Sequence, residues 1–215
     1  MQVNDFVKVN YSGKIKETDL EFDKGENLPI IVGVNYTLKG IDKALLEMQV
    51  GEKRTVEVFP EDGFGNREQK LIRLVPLSEF KKHNTNPFPG MVIEADGLRG
   101  RVLSASGGRV QVDFNHPLAG KILVYDIEIK EIIENLEEKI KAIIKLYSMI
   151  EEEKSKITLK EKEVDIELPP LINSVYKRKI ANDIIKFLGF DKVNFIESFE
   201  KPKEEIKDQP LPPAP

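Results

Sequence analysis

The chain contains no cysteine, which excludes disulfides, thiolate zinc sites and cysteine nucleophiles together. It has only two histidines, His83 and His116, too few for a self-sufficient zinc site. His116 precedes a proline in FNHPLAG, and a structural or surface role is expected for both. No Gly-x-x-x-x-Gly-Lys-Ser/Thr is present, so there is no phosphate loop. Carboxylates are numerous, but none pair on a predicted apolar surface, and no serine sits in a nucleophile elbow. Acid–base hydrolysis and acyl transfer thus lack candidates. No apolar run approaches the roughly 20 residues that cross a bilayer, and the start, MQVNDFVKVNYSG, has no apolar signal core. A third of the residues are charged, yet the net charge is only −4, which argues against a nucleic-acid or membrane footprint. A cytoplasmic protein is expected, with no metal, no cofactor, no nucleic acid and no membrane among its partners. Abundant Glu, Lys and Ile without Cys would suit a heat-adapted organism.

The most organised stretch is PIIVGVNYTLKGIDKALLEMQVGEKRTVEV, residues 29–58. Its start is too short for a helix and is bounded by Pro29 and Gly33, so it reads as a strand. Leu38, Ile41, Leu45 and Met48 recur at helical spacing, with Asp42, Lys43 and Glu47 on the other side. Gly51 stops the helix, and Val56 and Val58 alternate with Thr55 and Glu57 in a following strand.

Residues 5–16 alternate, with Val7, Val9 and Tyr11 on one face, and Ser12-Gly13 permits a turn. Phe22-Asp23 precedes an expected Lys24-Gly25 turn, and Phe64 lies between two glycines in a loop. Residues 69–120 are strand-rich: LIRLV, MVIEAD, RGRVLSA and RVQVDFN, with a short helix begun by Pro76 and a hairpin at Ser106–Gly108. Residues 121–129 form another strand, with Leu123, Tyr125, Ile127 and Ile129 on one face. From Ile132 the chain turns helical, with a seam at Ile133, Leu136, Ile140, Ile143 and Tyr147. The seam either packs within its own domain or pairs two copies of the chain. A charged linker, a strand at 163–168, a helix at 174–188 stopped by Gly189 and a last strand complete an α-β-α-β domain over 132–200. The final fifteen residues hold five prolines and are expected to be disordered.

Five motifs in order, VNYSGK at 9–14, EFD at 21–23, residues 29–54, GFGN at 63–66 and LVYDIEI at 123–129, resemble FKBP-type peptidyl-prolyl cis-trans isomerases of the SlyD-like kind. DFNHPLAGK at 113–121 is similar to members with a module inserted in the flap, and residues after 132 resemble the extra domain of long archaeal members. The resemblance implies an α+β fold: an antiparallel sheet wrapped on one helix, a small β-rich insert and a C-terminal α/β domain. It implies an isomerase domain over 1–68 and 121–131, an insert-in-flap chaperone-like domain over 69–120, the C-terminal domain over 132–200 and a tail over 201–215. It implies Tyr11, Asp23 and Phe64 as catalytic residues and Phe22, Leu28, Leu38, Ile41 and Tyr125 as substrate-binding residues. Ile41 stands where many members have Trp, Phe64 where Tyr is usual, and Tyr125 where Phe is usual.

The implied activity is rotation about X-Pro bonds of unfolded or partly folded proteins, the implied partners, with chaperone activity from the insert. The alternative is a polypeptide-binding chaperone with weak or no isomerase activity. An assembly scaffold, a homodimer through the C-terminal domain, rests on the α-helical seam. Isomerisation suits a chain without nucleophile or metal. Turning the planar amide costs about 18–20 kcal/mol and takes on the order of tens of seconds unaided. A dry apolar cleft favours the twisted amide, whose dipole is smaller.

Overall fold

The structure is a computed structural model and describes residues 1–95, 97–148, 155–169 and 172–198. The expected disordered tail lies outside the described residues. The chain divides into two compact units, Met1–Ile133 and Glu134–Pro215.

In the first unit, β1 (Phe6–Ile15), β2 (Leu20–Ile31), β3 (Lys53–Val58) and β8 (Leu123–Ile132) form an antiparallel sheet ordered β2-β1-β8-β3. The helix α1 (Lys39–Glu47) joins β2 to β3. The alternation of β1 and β8 reflects one covered face: Val7, Val9, Leu123, Tyr125, Ile127 and Ile129 are buried. Ile41, Leu45 and Met48 of the helical stretch complete that core. Burial of each such side chain stabilises the fold by about 1.5–3 kcal/mol.

Between β3 and β8 lies a second sheet, ordered β4-β7-β6-β5, from β4 (Ile72–Pro76), β5 (Val92–Ala95), β6 (Leu98–Ser106) and β7 (Arg109–Asp113). The short helix α2 (Leu77–Lys82) follows Pro76 as expected. Gly107 and Gly108, at φ 58° and 74°, make the expected hairpin between β6 and β7; two consecutive positive φ values suit a twisted two-residue loop. This sheet has its own core of Phe80, Val102, Val110 and Val112.

The second unit contains α3 (Leu136–Tyr147), β9 (Lys156–Leu159), β10 (Glu163–Glu167), α4 (Ser174–Leu188) and β11 (Lys192–Ile196). β10 pairs antiparallel with β9 and parallel with β11. Ile140 and Ile143 of the seam are fully buried, and the Tyr147 hydroxyl donates to Asp183 of α4 at 2.5 Å.

Four expectations are corrected. Ser12-Gly13 is not a turn, because β1 continues to Ile15. Lys24-Gly25 is not a turn either, because β2 runs from Leu20 to Ile31 with an irregularity near Gly25. The chain reverses at Lys16–Asp19 instead, where Asp19 takes φ 52° and its N–H bonds to the Ile15 carbonyl. Helix does not begin at Ile132: β8 extends that far, the Ile133 N–H donates to the Phe6 carbonyl, and Asn135 caps α3 through the Glu138 N–H. The charged linker holds a strand, β9, so the C-terminal order is α-β-β-α-β; Ile157 faces Ile166 across its ladder.

Candidate functional site

The helix α1 and the loop before it lie over the covered face of the first sheet and leave a cleft of about 430 Å³. Of the predicted site residues, Tyr11, Asp23, Leu28, Leu38, Ile41, Phe64 and Tyr125 line it. Phe22 does not; its ring packs edge-on to Tyr125, with centroids 5.8 Å apart. Val9, Ile30, Tyr36, Thr37 and Ile127 complete the lining. Asp23 is the one acidic or basic side chain among these lining residues.

The strand register explains the polar corner. Gly13 of β1 stands between Asp23 of β2 and Tyr125 of β8. A Cβ there would come within 2.7 Å of Tyr125 Cε1 and 3.1 Å of Phe22 Cζ. The missing side chain lets the Tyr125 ring lie across β1 towards β2. Gly25 serves Tyr11 in the same way, since a Cβ would sit 2.6 Å from Tyr11 Cε1. Both glycines therefore act by close approach rather than as turns. The Tyr11 and Tyr125 rings meet at 6.2 Å, and the Tyr11 hydroxyl donates to Asp23 Oδ2 at 3.1 Å. Asp23 is exposed, so its carboxylate stays in contact with water at the cleft's rim. Burial, and then the neighbouring Asp23 charge, raises the Tyr11 phenol. The same two causes, with Tyr11 adding to them, push Tyr125 up to about 12. Both phenols therefore remain neutral hydrogen-bonding groups at physiological pH.

The opposite wall comes from the loop between β2 and α1. Gly33 and Asn35 take φ 79° and 59°, and their N–H groups donate to the two Asp42 carboxylate oxygens at 2.8 and 2.9 Å. Asp42 is 5 % exposed. Its expected place on the polar face of the helix is thus corrected: it is a buried anchor that fixes the loop carrying Tyr36, Thr37 and Leu38. Leu38 is the N-cap of α1 without a side-chain cap, so its N–H falls outside the intrahelical ladder.

Phe64 follows a tight turn at Pro60–Asp62 and is presented by the Gly65 N–H bonding to the Pro60 carbonyl at 2.7 Å. Its outer face is covered by His116, ring on ring at 4.3 Å and an interplanar angle of 1°. The imidazole Nδ1 accepts from the Leu118 N–H. Sequence reasoning missed Tyr36, Thr37, Asp42 and His116. An aromatic in a loop entering a helix was the available signal for Tyr36. Asp42 is held by backbone N–H groups of the preceding loop and His116 by a contact distant in sequence, and neither these nor Thr37 left a local signal. Among the described residues, no group of three or more His, Cys, Asp or Glu could hold a metal ion.

The family described as FKBP-type peptidyl-prolyl cis-trans isomerase matches residues 1–83. The descriptions "FKBP26, IF domain" and "FKBP26 C-terminal" match residues 73–118 and 136–200. The chain is similar to a short-type peptidyl-prolyl cis-trans isomerase of Methanocaldococcus jannaschii, 34 % identical over 60 % of this chain and 91 % of the relative. It is also 34 % identical to a probable FKBP-type 16 kDa peptidyl-prolyl cis-trans isomerase of Pseudomonas fluorescens, over 53 % of this chain and 77 % of the relative. A SlyD of Helicobacter pylori is 31 % identical over 54 % of this chain and 65 % of its own length.

Proposed function

The chain belongs to the FKBP-type peptidyl-prolyl cis-trans isomerases, and from that premise we propose that the cleft between α1 and the first sheet isomerises X-Pro bonds of unfolded polypeptides that the insert captures. The observation that carries this reading is the lining itself, apolar on almost every side with one carboxylate at its rim. A proline ring fits the floor at Ile41, between Phe64 and Tyr125. The Leu38 N–H, outside the helical ladder, donates to a substrate carbonyl. Desolvation favours the twisted amide, in which conjugation and charge separation are reduced, over the planar one. Asp23, held by the Tyr11 hydroxyl, acts on the polarised amide from the rim. Tyr11, Asp23 and Phe64 are the catalytic residues of this proposal, and Phe22 supports Tyr125 from behind.

The insert, residues 69–120, serves as the chaperone domain. It exposes Leu74, Phe88, Val92, Leu98 and Leu103, more apolar surface than a small sheet needs for its own folding. The described residues contain no helix long and apolar enough to cross a membrane, and we place the chain in the cytoplasm. Self-association through the C-terminal domain, 132–200, is read by sedimentation; Ile140 and Ile143 of α3 are already buried and contribute little to it.

Excising the insert tests this division of labour. Ile72 and Asp113 are paired in register, and the Phe114 N–H bonds to the Leu71 carbonyl at 3.0 Å, so the two ends already meet. Replacing 72–113 by a short glycine loop retains His116 behind Phe64. Turnover of short prolyl peptides should persist within about twofold, while proline-limited refolding of a whole protein should slow by about tenfold or more, because tethering raises local substrate concentration. Equal loss of both activities in a folded variant would contradict the separation.

A further inference from the structure

Across the Phe64–His116 stack from the cleft lies a groove of about 700 Å³ that the isomerase reading does not use. Its cations are Arg67, Arg99, Arg101 and Lys121, against one carboxylate, Asp113. Arg67 is committed to Asp113 at 2.5 Å, and Lys121 lies 3.9 Å from Glu17. Arg99 and Arg101 form no ion pair among the described residues. Alternation along β6 puts these two exposed arginines on one face. Gly100 between them fixes that orientation, because a Cβ there would lie 2.7 Å from both Phe114 Cδ1 and Val112 Cγ1 of the packed face. The charge is local. Residues 69–120 carry seven Lys and Arg against four Asp and Glu, while the whole chain is at −4.

The groove is tied to the cleft by short, ordered contacts. His116 lines the groove and stacks on Phe64, which lines the cleft. Asn115 exchanges hydrogen bonds with the backbone of Glu68, and the Gly120 N–H donates to the Gly65 carbonyl at 2.8 Å. A polypeptide held at one site is therefore presented to the other at high local concentration.

We propose that this groove is a second substrate subsite, which binds acidic side chains of the same polypeptide whose X-Pro bond occupies the cleft. The proposal rests on the cleft being the isomerisation site. Charge complementarity selects the occupant: Arg99 and Arg101, without an ion pair among the described residues, can make forked hydrogen bonds to carboxylates. A polypeptide is favoured over a nucleic acid because the adjoining cleft, apolar with one carboxylate at its rim, suits a peptide and not a phosphate backbone.

The test uses one prolyl core joined, on either side, through a Gly-Ser spacer to a short run of Glu, Ser or Lys. Turnover is measured by kcat and KM, and binding by fluorescence anisotropy. The full-length protein is compared with its Arg99→Gln/Arg101→Gln variant, in which two exposed side chains change. The Glu peptide should bind about threefold to tenfold more tightly than the Ser peptide, with a matching fall in KM and unchanged kcat. High salt and the double variant should both erase the difference. Equal affinity of the Glu and Ser peptides, or a Glu advantage that survives in the variant, would overturn the proposal. Stronger competition by a single-stranded RNA oligomer than by free oligoglutamate would assign the groove to nucleic acid and overturn it too. Failure of the cleft assignment has a different signature: none of the three peptides is turned over, while their order of binding still reports on the groove.

Discussion

Ile41→Asp should abolish turnover of prolyl peptides and lower the thermal midpoint of the first unit until little folded protein remains at growth temperature. Ile41 is 8 % exposed, on the cleft floor and within the core shared by α1 and the sheet. A carboxylate there has apolar neighbours, and no Lys or Arg lines the cleft to pair with it. The effective penalty for a buried unpaired ion is several kcal/mol, set against a total stability of about 5–15 kcal/mol for a domain. The variant either unfolds or stays protonated as a neutral, poorly packed acid. Ile41→Val, which removes one methylene, should cost only about 0.5–1.5 kcal/mol and leave most activity. Circular dichroism melts with peptide turnover on the same samples read both. Unchanged melting and turnover in Ile41→Asp would show that position 41 is not on the cleft floor.

One residue further on, the chemistry reverses. Asp42→Ala should destabilise the unit by about 2–4 kcal/mol, since the Gly33 and Asn35 N–H groups lose their charged acceptor and a hydrogen bond to a charged group contributes about 1.5–3 kcal/mol. The catalytic consequence should follow from the loop. Tyr36, Thr37 and Leu38 line the cleft from a segment with positive φ at Gly33 and Asn35, which is held in place by this carboxylate. Loosening it should reduce kcat/KM by about tenfold, chiefly through KM, at temperatures where the variant remains folded. Asp42→Asn keeps one acceptor oxygen and should recover part of both losses. An alanine variant with normal stability and normal KM would mean that the loop holds its shape without the anchor.

The pair shows where the sequence is informative. Apolar spacing identifies Ile41, Leu45 and Met48 because a helix on a sheet must bury one stripe, and alternation identifies β1 and β8 for the same reason. Asp42 looked like an ordinary polar-face residue because its partners are N–H groups, and backbone leaves no trace in composition. Gly13 and Gly25 looked like turns. A missing Cβ serves either a reversal or a ring arriving from another strand, and the local sequence is the same in both cases. Here the rings are Tyr125 and Tyr11, at registers that only the folded sheet defines. The His116 stack on Phe64 joins residues separated by most of the insert, so no local pattern encodes it. The start of α3 was placed early because Ile132 and Ile133 fit a helical seam as well as a strand end, and the Ile133 bond to Phe6 decides for the sheet. The five motifs that resemble the family were legible for another reason. They mark the cleft's walls directly: six of the seven residues they carry, all but Phe22, line one cavity, and Leu28 beside them makes a seventh.

The central claim is that isomerisation takes place in this cleft, with Asp23 acting from its rim. Its most direct test is kcat/KM for a short prolyl peptide, measured by exchange between the cis and trans forms, for the native chain and for Asp23→Ala. Asp23 is exposed and its recorded partner is the Tyr11 hydroxyl, so the substitution should leave the fold intact. The account predicts a fall of about tenfold or more, equivalent to about 1.4 kcal/mol of transition-state stabilisation. Suppression of aggregation of a proline-independent client should stay the same if, as proposed, the insert carries it. Undiminished kcat/KM in a folded Asp23→Ala protein, together with lost aggregation suppression, would contradict the assignment of both roles.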